Sequence, residues 1–555
     1  MLMHAGFSML EAGCCRAKNT SNVLMKNLVN VCMGTIGWWV FGWALAYGGP
    51  YEDDGTLSGK FIGRKEFLGE GMLVETATGV MPATAPNDHM VAWFFQWAFC
   101  TAGATIVSGG VAERVQSPSY AIFAFVMAAF IYPVVVAWTW GYGWMYGSIG
   151  TLSTGFMDFA GSGIVHLCGG VAALAGTCVL GPRKGRFDPE RSEEFEAHSL
   201  PLVVLGTFIL WFGWYGFNPG STLSMNDAET GAKAAMIAMN TTLSAATGGI
   251  TVFTLRYIIT RKYDVGGLCN GILAGLVSIT AGCSNMESGS AVATGFIGAI
   301  IYQLASMLLV KLKIDDPVDA SPVHGACGAW GCLAAALFDF GKDFECYHGW
   351  GGWTGTPSAN APLKCANGGD AIVAQIVMVV TISVWSLTFA SLTFGLMRFT
   401  GMLRIDDYTE EVGMDARMHS PGKAYIMNPT PGPPPPPEGA NVLCMAVEVV
   451  ERLSVTRRAC LEFYSSPHSI FLTKYLREAS DLPSLAIKII TGPVPSLPTC
   501  CSVEIADLCA ALLCMSRKMR PSADEVLSRP LLRETMSLLL QEVNELRNVP
   551  ASPKE

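Results

Sequence analysis

Ten long apolar stretches dominate the first 400 residues and constrain the fold more than any other feature. Crossing about 30 Å of hydrocarbon takes roughly 20 helical residues, and the absence of alternating polarity excludes barrel strands. Residues 1–13 are apolar but too short to cross, so we interpret them as part of a first span that lacks its outer half. With that segment the chain is predicted to contain eleven transmembrane helices. The other ten lie near residues 23–47, 89–110, 118–140, 160–180, 200–218, 232–255, 265–282, 289–310, 322–339 and 371–397.

The composition changes along the chain and indicates two differently built parts. All 14 Trp lie before residue 386, whereas Gly492 is the only one of the 60 Gly after residue 440. Between these parts lies PTPGPPPPPEG, whose proline run favours an extended spacer. We predict a transmembrane domain at 1–400, a polar regulatory segment at 401–428, this linker at 429–439 and a small helical tail at 440–555.

Charge and cysteine content exclude several function classes. A net charge of −9 disfavours nucleic acid as a partner. The 18 Cys include no Cys/His set at zinc spacing, and many lie in apolar runs as small hydrophobic residues. No metal or cofactor is therefore predicted. Cys346 and Cys365, in the connection between the last two spans, either form a disulfide or are both free.

Basic residues predict the orientation, because cytoplasmic connections are enriched in Lys and Arg. One set of alternate connections contains twelve basic residues and the other contains six. An odd number of spans then places the N-terminus outside and residues 400–555 in the cytoplasm. The richer set is Arg16, Lys18, Arg114, Arg183, Lys184, Arg186, Arg191, Arg256, Arg261, Lys262, Lys311 and Lys313.

Two short stretches share the same sequence pattern. Asp158 and Asp316 are each followed eight residues later by a histidine, His166 and His324, within small and apolar residues. An ionisable side chain in a hydrocarbon core is costly unless it is paired or lines a cavity. Matched interrupted segments in two halves of a membrane chain are typical of inverted-repeat transporters. We predict that the two histidines are partners on a substrate path. The alternative is that each is a core histidine bonded to a backbone carbonyl.

Several ordered motifs in residues 1–426 resemble the ammonium transporter (Amt/Mep/Rh) family, and the Amt branch more than the Rh proteins. The motifs are EAGCCRAKN (11–19), GGVAERV (109–115), DFAGSGIVH (158–166), WFGWYGFNPGS (211–221), NGILAGLVSITAGC (270–283), DDPVDASPVHGACG (315–328) and GMDARMH (413–419).

The resemblance implies an all-α polytopic membrane protein with inverted five-helix repeats, assembled as a homotrimer in the plasma membrane, with ammonium or ammonia as substrate and no enzymatic activity. Each subunit would contain one twin-histidine pore formed by His166 and His324. The remaining site residues carried over from the family are Phe99, Trp140, Ser221 and Asp158 for substrate binding, and Phe95, Phe99 and Phe217 for the gate.

These residue types suit that chemistry. A small cation over Trp or Phe gains about 0.5–2 kcal/mol from the ring quadrupole, and a Ser hydroxyl can accept one of its hydrogens. An apolar pore penalises full charge, so ammonium must release its proton or pass it on separately. Neutral histidines can bind ammonia and relay the proton. Potassium has no proton to donate, which would explain selectivity.

Each residue also has a simpler interpretation. Phe99, Trp140 and Phe217 are of types common in helix packing and at membrane interfaces. Asp158 can act as a helix N-cap, and we expect it both to cap the fifth helix and to shape the vestibule. Arg417 occupies a position where many plant members have a phosphorylatable Thr, so that form of inhibition is not expected in this chain.

The tail has a separate resemblance. Residues 485–532, which include Arg520 and Pro521, resemble the end of a NEK-like protein-kinase C-lobe. The residues that hold ATP, Mg²⁺ and the nucleophile are missing, so the tail cannot phosphorylate. It is interpreted as a remnant or gene-model fusion, or as a docking module. The alternative function for the whole chain is an ammonium sensor that signals through this tail.

Overall fold

The structure is a computed structural model that describes residues 1–77, 79–82, 89–338, 369–420 and 424. The chain divides into two units, Met1–Asn428 and Pro429–Glu555. Only the first contains described residues. The predicted linker at 429–439, the kinase-like tail and the pair Cys346 and Cys365 lie outside them.

Eleven long helical elements occur in the described part of the chain, one for each predicted span. Seven of these have the length and apolar composition needed to cross a membrane. The protein is therefore an all-α polytopic membrane protein. The elements are α1 (Leu2–Cys14), α2 (Ala17–Tyr47), α3 (His89–Gly110), α4 (Ser117–Trp138), α5 (Ser162–Leu180), α6 (Leu200–Phe217), α7 (Ala228–Thr260), α8 (Val265–Ile279), α9 (Ser288–Lys311), α10 (a π-helical turn Ser321–Ala326 continued by Cys327–Leu337) and α11 (Asp370–Phe399).

Local sequence explains where several helices begin and end. Asp227 caps α7 by accepting a hydrogen bond from the Thr230 backbone N–H, and Asp264 caps α8 in the same way from Gly267. Between these caps the chain leaves α7 at Arg261, whose φ of 58° is left-handed and stops the helix. The two apolar stretches predicted at 232–255 and 265–282 are therefore separate helices.

Two features were not predicted from the sequence. A two-stranded antiparallel hairpin, β1 (Leu73–Thr76) and β2 (Gly79–Pro82), lies in the connection between α2 and α3. Two short helices, α12 (Asp407–Val412) and α13 (Met414–Met418), follow α11 in the predicted regulatory segment. The hairpin is an addition to the predicted all-α architecture. It lies in a polar connection between two helices. The backbone N–H and C=O groups of this connection are not paired within a helix, and the two strands pair them with each other.

Helices α5 and α10 cross at a point of very close backbone approach. A Cβ atom added at Gly170 would lie 2.1 Å from the Gly325 backbone nitrogen. Only glycine at position 170 permits this approach, because any side chain would force the helices apart. Helix α10 is the fifth helix after α5, and an odd offset reverses the direction of the chain through the membrane. This geometry agrees with the predicted inverted repeat and brings the two histidine-bearing segments together.

Candidate functional site

The two histidines meet at the crossing of α5 and α10. The Nδ1 atoms of His166 and His324 lie 3.1 Å apart, and both side chains are buried. At this distance one Nδ1 must donate a hydrogen and the other must accept it, so the two rings are in complementary states. Each histidine lies in a π-helical turn, Ser162–Leu167 or Ser321–Ala326. Such turns are uncommon and often mark functional sites.

His166 is held by aromatic stacking and has one nitrogen without a partner. Its ring stacks on Trp214 with centroids 5.1 Å apart and an interplanar angle of 17°. The ring of Phe217 lies 5.4 Å away. No hydrogen-bond partner for the buried Nε2 atom exists among the described residues. An unpaired buried polar atom is costly and requires an explanation, and a passing ligand or water would supply the missing bond.

Phe99 and Phe217 form a closed aromatic stack next to His166. Their ring centroids are 4.2 Å apart and the interplanar angle is 29°. Phe95, one helical turn before Phe99 on α3, packs against it at 4.8 Å. No ion can pass between rings at this separation, so the stack is closed in this structure. The structure therefore brings together all three residues predicted for the gate.

An open cavity lies on the other side of this stack, which we name the aromatic cavity. Its volume is about 620 Å³. The ring of Trp140 stands at 89° to that of Phe99, with centroids 5.8 Å apart. The Ser221 hydroxyl donates to the Phe217 carbonyl at 2.7 Å, which leaves its oxygen lone pairs available to accept hydrogens from a ligand. The residues that line the cavity include Trp43, Tyr47, Phe95, Gln96, Phe99, Trp140, Tyr142, Tyr146, Phe156, Phe159 and Ser221.

No carboxylate lies among the described residues that line the aromatic cavity. Attraction for a cation would therefore come from ring faces and oxygen dipoles rather than from a fixed negative charge. Aromatic faces attract cations most strongly when the ion is desolvated. This arrangement favours a small cation that can also donate hydrogen bonds.

The structure places Asp158 behind the aromatic cavity and not in its wall. Its carboxylate accepts hydrogen bonds from the backbone N–H groups of Gly161, Ser162, Gly163 and Ile164 at 2.8 to 3.0 Å, and the side chain is fully buried. The Asp158 carbonyl in turn accepts a hydrogen bond from Trp140 Nε1 at 3.0 Å. Asp158 thus caps the start of α5 and orients Trp140, and in this geometry it does not reach a ligand in the aromatic cavity.

On the other side of the histidine pair, Phe7 of α1 packs against His324 with ring centroids 5.7 Å apart. Phe7 and His324 also line a second, small cavity together with residues of α3, α8 and α10. We name it the inner cavity. The aromatic stack, the histidine pair and the inner cavity follow one another through the protein.

Two residues of this path were missed by sequence reasoning. Trp214 lies in the motif WFGWYGFNPGS, one helical turn before Phe217, so its spacing was a usable signal. Phe7 gave no comparable signal, because α1 is distant in sequence from both histidines.

The chain is similar to proteins of known function. A model described as "Ammonium Transporter Family" matches residues 1–425. "Ammonium transporter 1 member 1" of Arabidopsis thaliana is 37% identical over 431 residues, which are 75% of this chain and 81% of that protein.

Solved structures agree with this comparison. A "Sensor Amt Protein" superposes with a TM-score of 0.63 at 30% identity, covering 75% of this chain and 95% of that chain. Candida albicans Mep2 superposes with a TM-score of 0.58 at 27% identity, covering 73% and 83% respectively.

Proposed function

The chain belongs to the ammonium transporter family, and on that premise we propose that ammonium enters from the aromatic cavity, passes the Phe99–Phe217 stack and reaches the histidine pair. The protein is a membrane transport protein for ammonium and not an enzyme. The path itself is our proposal. The observation that carries it is the unbroken contact from Phe99 through Phe217 to His166 and His324.

Recruitment at the aromatic cavity uses two kinds of contact. The face of Trp140 offers a quadrupole to the cation, and the Ser221 oxygen accepts one of its N–H groups. Ammonium has four hydrogens to donate in this way. A potassium ion can also approach the ring and the Ser221 oxygen, but it has no hydrogens to donate and no proton to release.

The aromatic stack excludes hydrated ions because its rings are in contact. Beyond it, an isolated ammonium would lose its hydration to apolar and aromatic neighbours, at a cost far above that of one hydrogen bond. Releasing the proton to the unpartnered Nε2 of His166 removes that cost and leaves neutral ammonia. The complementary Nδ1 atoms then allow the proton to pass between the rings.

We also propose the orientation of this path in the membrane and the assembly of the chain. The ends of the helices that are rich in Arg and Lys face the cytoplasm, which places the aromatic cavity outside. Three copies of the chain form a homotrimer in the plasma membrane, and each copy contains its own path. Membrane lipid covers the exposed apolar side chains of the outer helices. The tail, which resembles the end of a NEK-like kinase C-lobe, takes no part in conduction.

A sensor function remains the second candidate, because one of the similar structures is titled "Sensor Amt Protein". A sensor must pass a signal from the transmembrane part to an effector. The kinase-like tail lacks the residues that bind ATP and Mg²⁺. Deleting residues 433–555 tests this candidate, because a sensor that uses the tail would lose signalling while uptake continues.

Substitutions of two phenylalanines on the same helix, α6, test the proposed path. Phe217 belongs to the stack, whereas Phe208 is 64% exposed on the outer surface of α6. In cells that lack their own ammonium uptake, we expect Phe217→Ala to change uptake of labelled methylammonium at least tenfold, and to weaken the discrimination between ammonium and potassium as competitors.

Phe208→Ala, which removes the same ring from the exposed surface of α6, should leave both properties unchanged. Equal behaviour of the two variants at matched surface levels would contradict the proposed path, although not the assignment to the family.

A further inference from the structure

A buried ion pair lies beside the inner cavity and is not part of the path described so far. Glu11 on α1 and Lys26 on α2 are each 2% exposed. Lys26 Nζ lies 3.8 Å from Glu11 Oε2 and donates a hydrogen bond to the Ser108 carbonyl at 2.7 Å. Charged groups inside a membrane domain are costly and are usually retained for a function.

The contacts of Glu11 converge on one of its two oxygens. Ser108 Oγ donates to Oε2 at 2.7 Å, and Asn27 Nδ2 donates to the same atom at 3.1 Å. Lys26 faces that oxygen as well. Within the part of the chain that the structure describes, no hydrogen bond reaches Oε1. A carboxylate held in this way retains one oxygen that can accept a further hydrogen.

Glu11 and His324 line the same inner cavity. About 10 Å³ of this cavity is open to the centre of a water molecule, which is room for about one water. Among the described residues that line it, only Glu11 and His324 have polar side chains; the others include Phe7, Leu10 and Val318. A water molecule in the inner cavity would therefore find its side-chain partners in these two groups.

We propose that Glu11, held in place by Lys26, accepts the proton that leaves the histidine pair on the inner side. This inference rests on the proposed path. Ammonium gives a proton to His166, and the pair then holds one proton in excess. His324 Nε2 releases a proton to the water, and the water transfers one of its own to Glu11 Oε1. The histidines become neutral again, each with its hydrogen on the other ring nitrogen, and the water is regenerated. Both rings must return to the starting tautomer before His166 Nε2 can accept the next proton.

The cycle closes at the cytoplasmic side. Glu11 releases its proton to solvent, where the ammonia that has crossed the pore takes up a proton. One positive charge moves for each ammonium. Between cycles, Ser108, Asn27 and Lys26 hold the Glu11 carboxyl group in place through Oε2. The carboxylate of Asp316 accepts backbone hydrogen bonds from Ala320 and Ser321 and caps the start of α10.

A purely structural role must be separated from this one, because Glu11 also ties α1 to Asn27 of α2 and Ser108 of α3. Glu11→Gln keeps the side-chain shape and an oxygen acceptor for Ser108 and Asn27 but cannot take up a proton as a carboxylate does. Glu11→Asp keeps the carboxylate. Glu194→Gln removes the same charge from an exposed surface position and is the matched control.

The experiment measures ammonium-evoked current and uptake of labelled methylammonium in the same cells at matched surface levels. We expect Glu11→Gln to lower the charge moved per methylammonium at least tenfold, Glu11→Asp to restore most of it, and Glu194→Gln to leave it unchanged. An unchanged ratio in Glu11→Gln would overturn the proposal.

Two further outcomes would also overturn it. A proportional loss of current and uptake in Glu11→Gln, with a lower melting temperature in detergent, would show a structural role. Uptake without current in the unaltered chain would exclude the relay but leave ammonium transport intact. Absence of methylammonium uptake from the unaltered chain would instead contradict the proposed function itself.

Discussion

At the scale of single residues, the site is defined by groups whose bonding is left incomplete. His166 is buried with one nitrogen bonded to His324 and the other without a partner in the described part of the chain. Ser221 donates its hydrogen and keeps its lone pairs. Leaving a buried polar atom unpaired costs about 1–3 kcal/mol, and a molecule on the proposed path would give the Nε2 atom of His166 its missing partner.

The histidine pair provides the first prediction. His166→Ala or His324→Ala leaves an apolar gap that cannot bind ammonia or relay a proton, so we expect ammonium-evoked current to fall at least tenfold. The measurement is current and methylammonium uptake at matched surface levels. Phe208→Ala, a truncation on the exposed surface of α6, is the control. Unchanged selectivity and current in both pore variants would contradict the assignment.

The second prediction concerns Trp140. Trp140→Leu removes the indole quadrupole, worth about 0.5–2 kcal/mol for a bound cation, so half-saturation for ammonium should rise about 2- to 30-fold. Trp330→Leu is a matched control because Trp330 also donates its Nε1 hydrogen to a backbone carbonyl at 3.0 Å, but lies outside the aromatic cavity. The concentration dependence of uptake provides the measurement. An equal shift in the two variants would mean that loss of packing, not of the cation site, is responsible.

At the scale of elements, buried charges tie the ends of several helices together. Glu113 follows α3 and forms ion pairs with two arginines. Arg16 precedes α2, and Arg183 follows α5. Arg183 also binds Asp315, before α10, with Nη2 and Nε at 2.9 and 2.8 Å. Four connections that are far apart in sequence therefore meet in one network. Every charge in the network has an opposite partner, and this pairing offsets the desolvation cost of burying it.

The third prediction is a pH dependence that follows from this network. Burial alone would raise the pKa of Glu113, but the guanidinium groups of Arg183 and Arg16 overcome it and lower the pKa from 4.5 to about 2. The folded-state pKa is depressed, so the contribution to stability is fully present above pH 4.5 and is lost as pH falls towards 2. Glu113→Gln should cost on the order of 3 kcal/mol at pH 7.

The measurement is the apparent melting temperature in detergent between pH 3 and pH 7. We expect the difference between the unaltered chain and Glu113→Gln to be large at pH 7 and to shrink towards pH 3. Glu194→Gln should show no comparable difference. A gap that is constant over this range would mean that the pKa of Glu113 is not lowered in the folded protein.

At the scale of the whole molecule, the segment after α11 is attached to the start of the chain. Asp415 on α13 accepts hydrogen bonds from the backbone N–H groups of Ser21 and Asn22 at 2.8 and 2.9 Å. The Met414 backbone N–H donates to Asn19 at 2.9 Å. Arg417, the position expected to hold Thr in many plant relatives, lies over the ring of Tyr408 at 5.0 Å. Residues 413–418 thus cap α2 within the same chain.

The fourth prediction uses two truncations. A chain that ends before Pro433 keeps every contact of α12 and α13, so transport should be retained. A chain that ends before Gly413 loses the cap on α2, and uptake should fall several-fold at matched surface levels. Ammonium uptake by the two truncations is the measurement. Loss of uptake in the chain that ends before Pro433 would give the predicted tail a regulatory role.

The sequence by itself determined the eleven helices and the two histidines, because both depend on local properties: the length of apolar runs and the high cost of an ionisable group within them. The observed bounds of α3, His89–Gly110, agree with the apolar run at 89–110 for this reason. The family motifs added Phe99, Trp140, Phe217 and Ser221, which the structure brings together around one cavity and one stack.

Only the tertiary structure decided which side of each helix meets which neighbour, because in an apolar helix every face has nearly the same composition. The stack of Trp214 on His166, the contact of Phe7 with His324 and the position of Glu11 beside the inner cavity all depend on such rotations. Asp158 shows most clearly what the sequence could not determine. Its sequence position is compatible with both a cap and a vestibule residue, and only the direction of four backbone N–H groups turns its carboxylate away from the aromatic cavity.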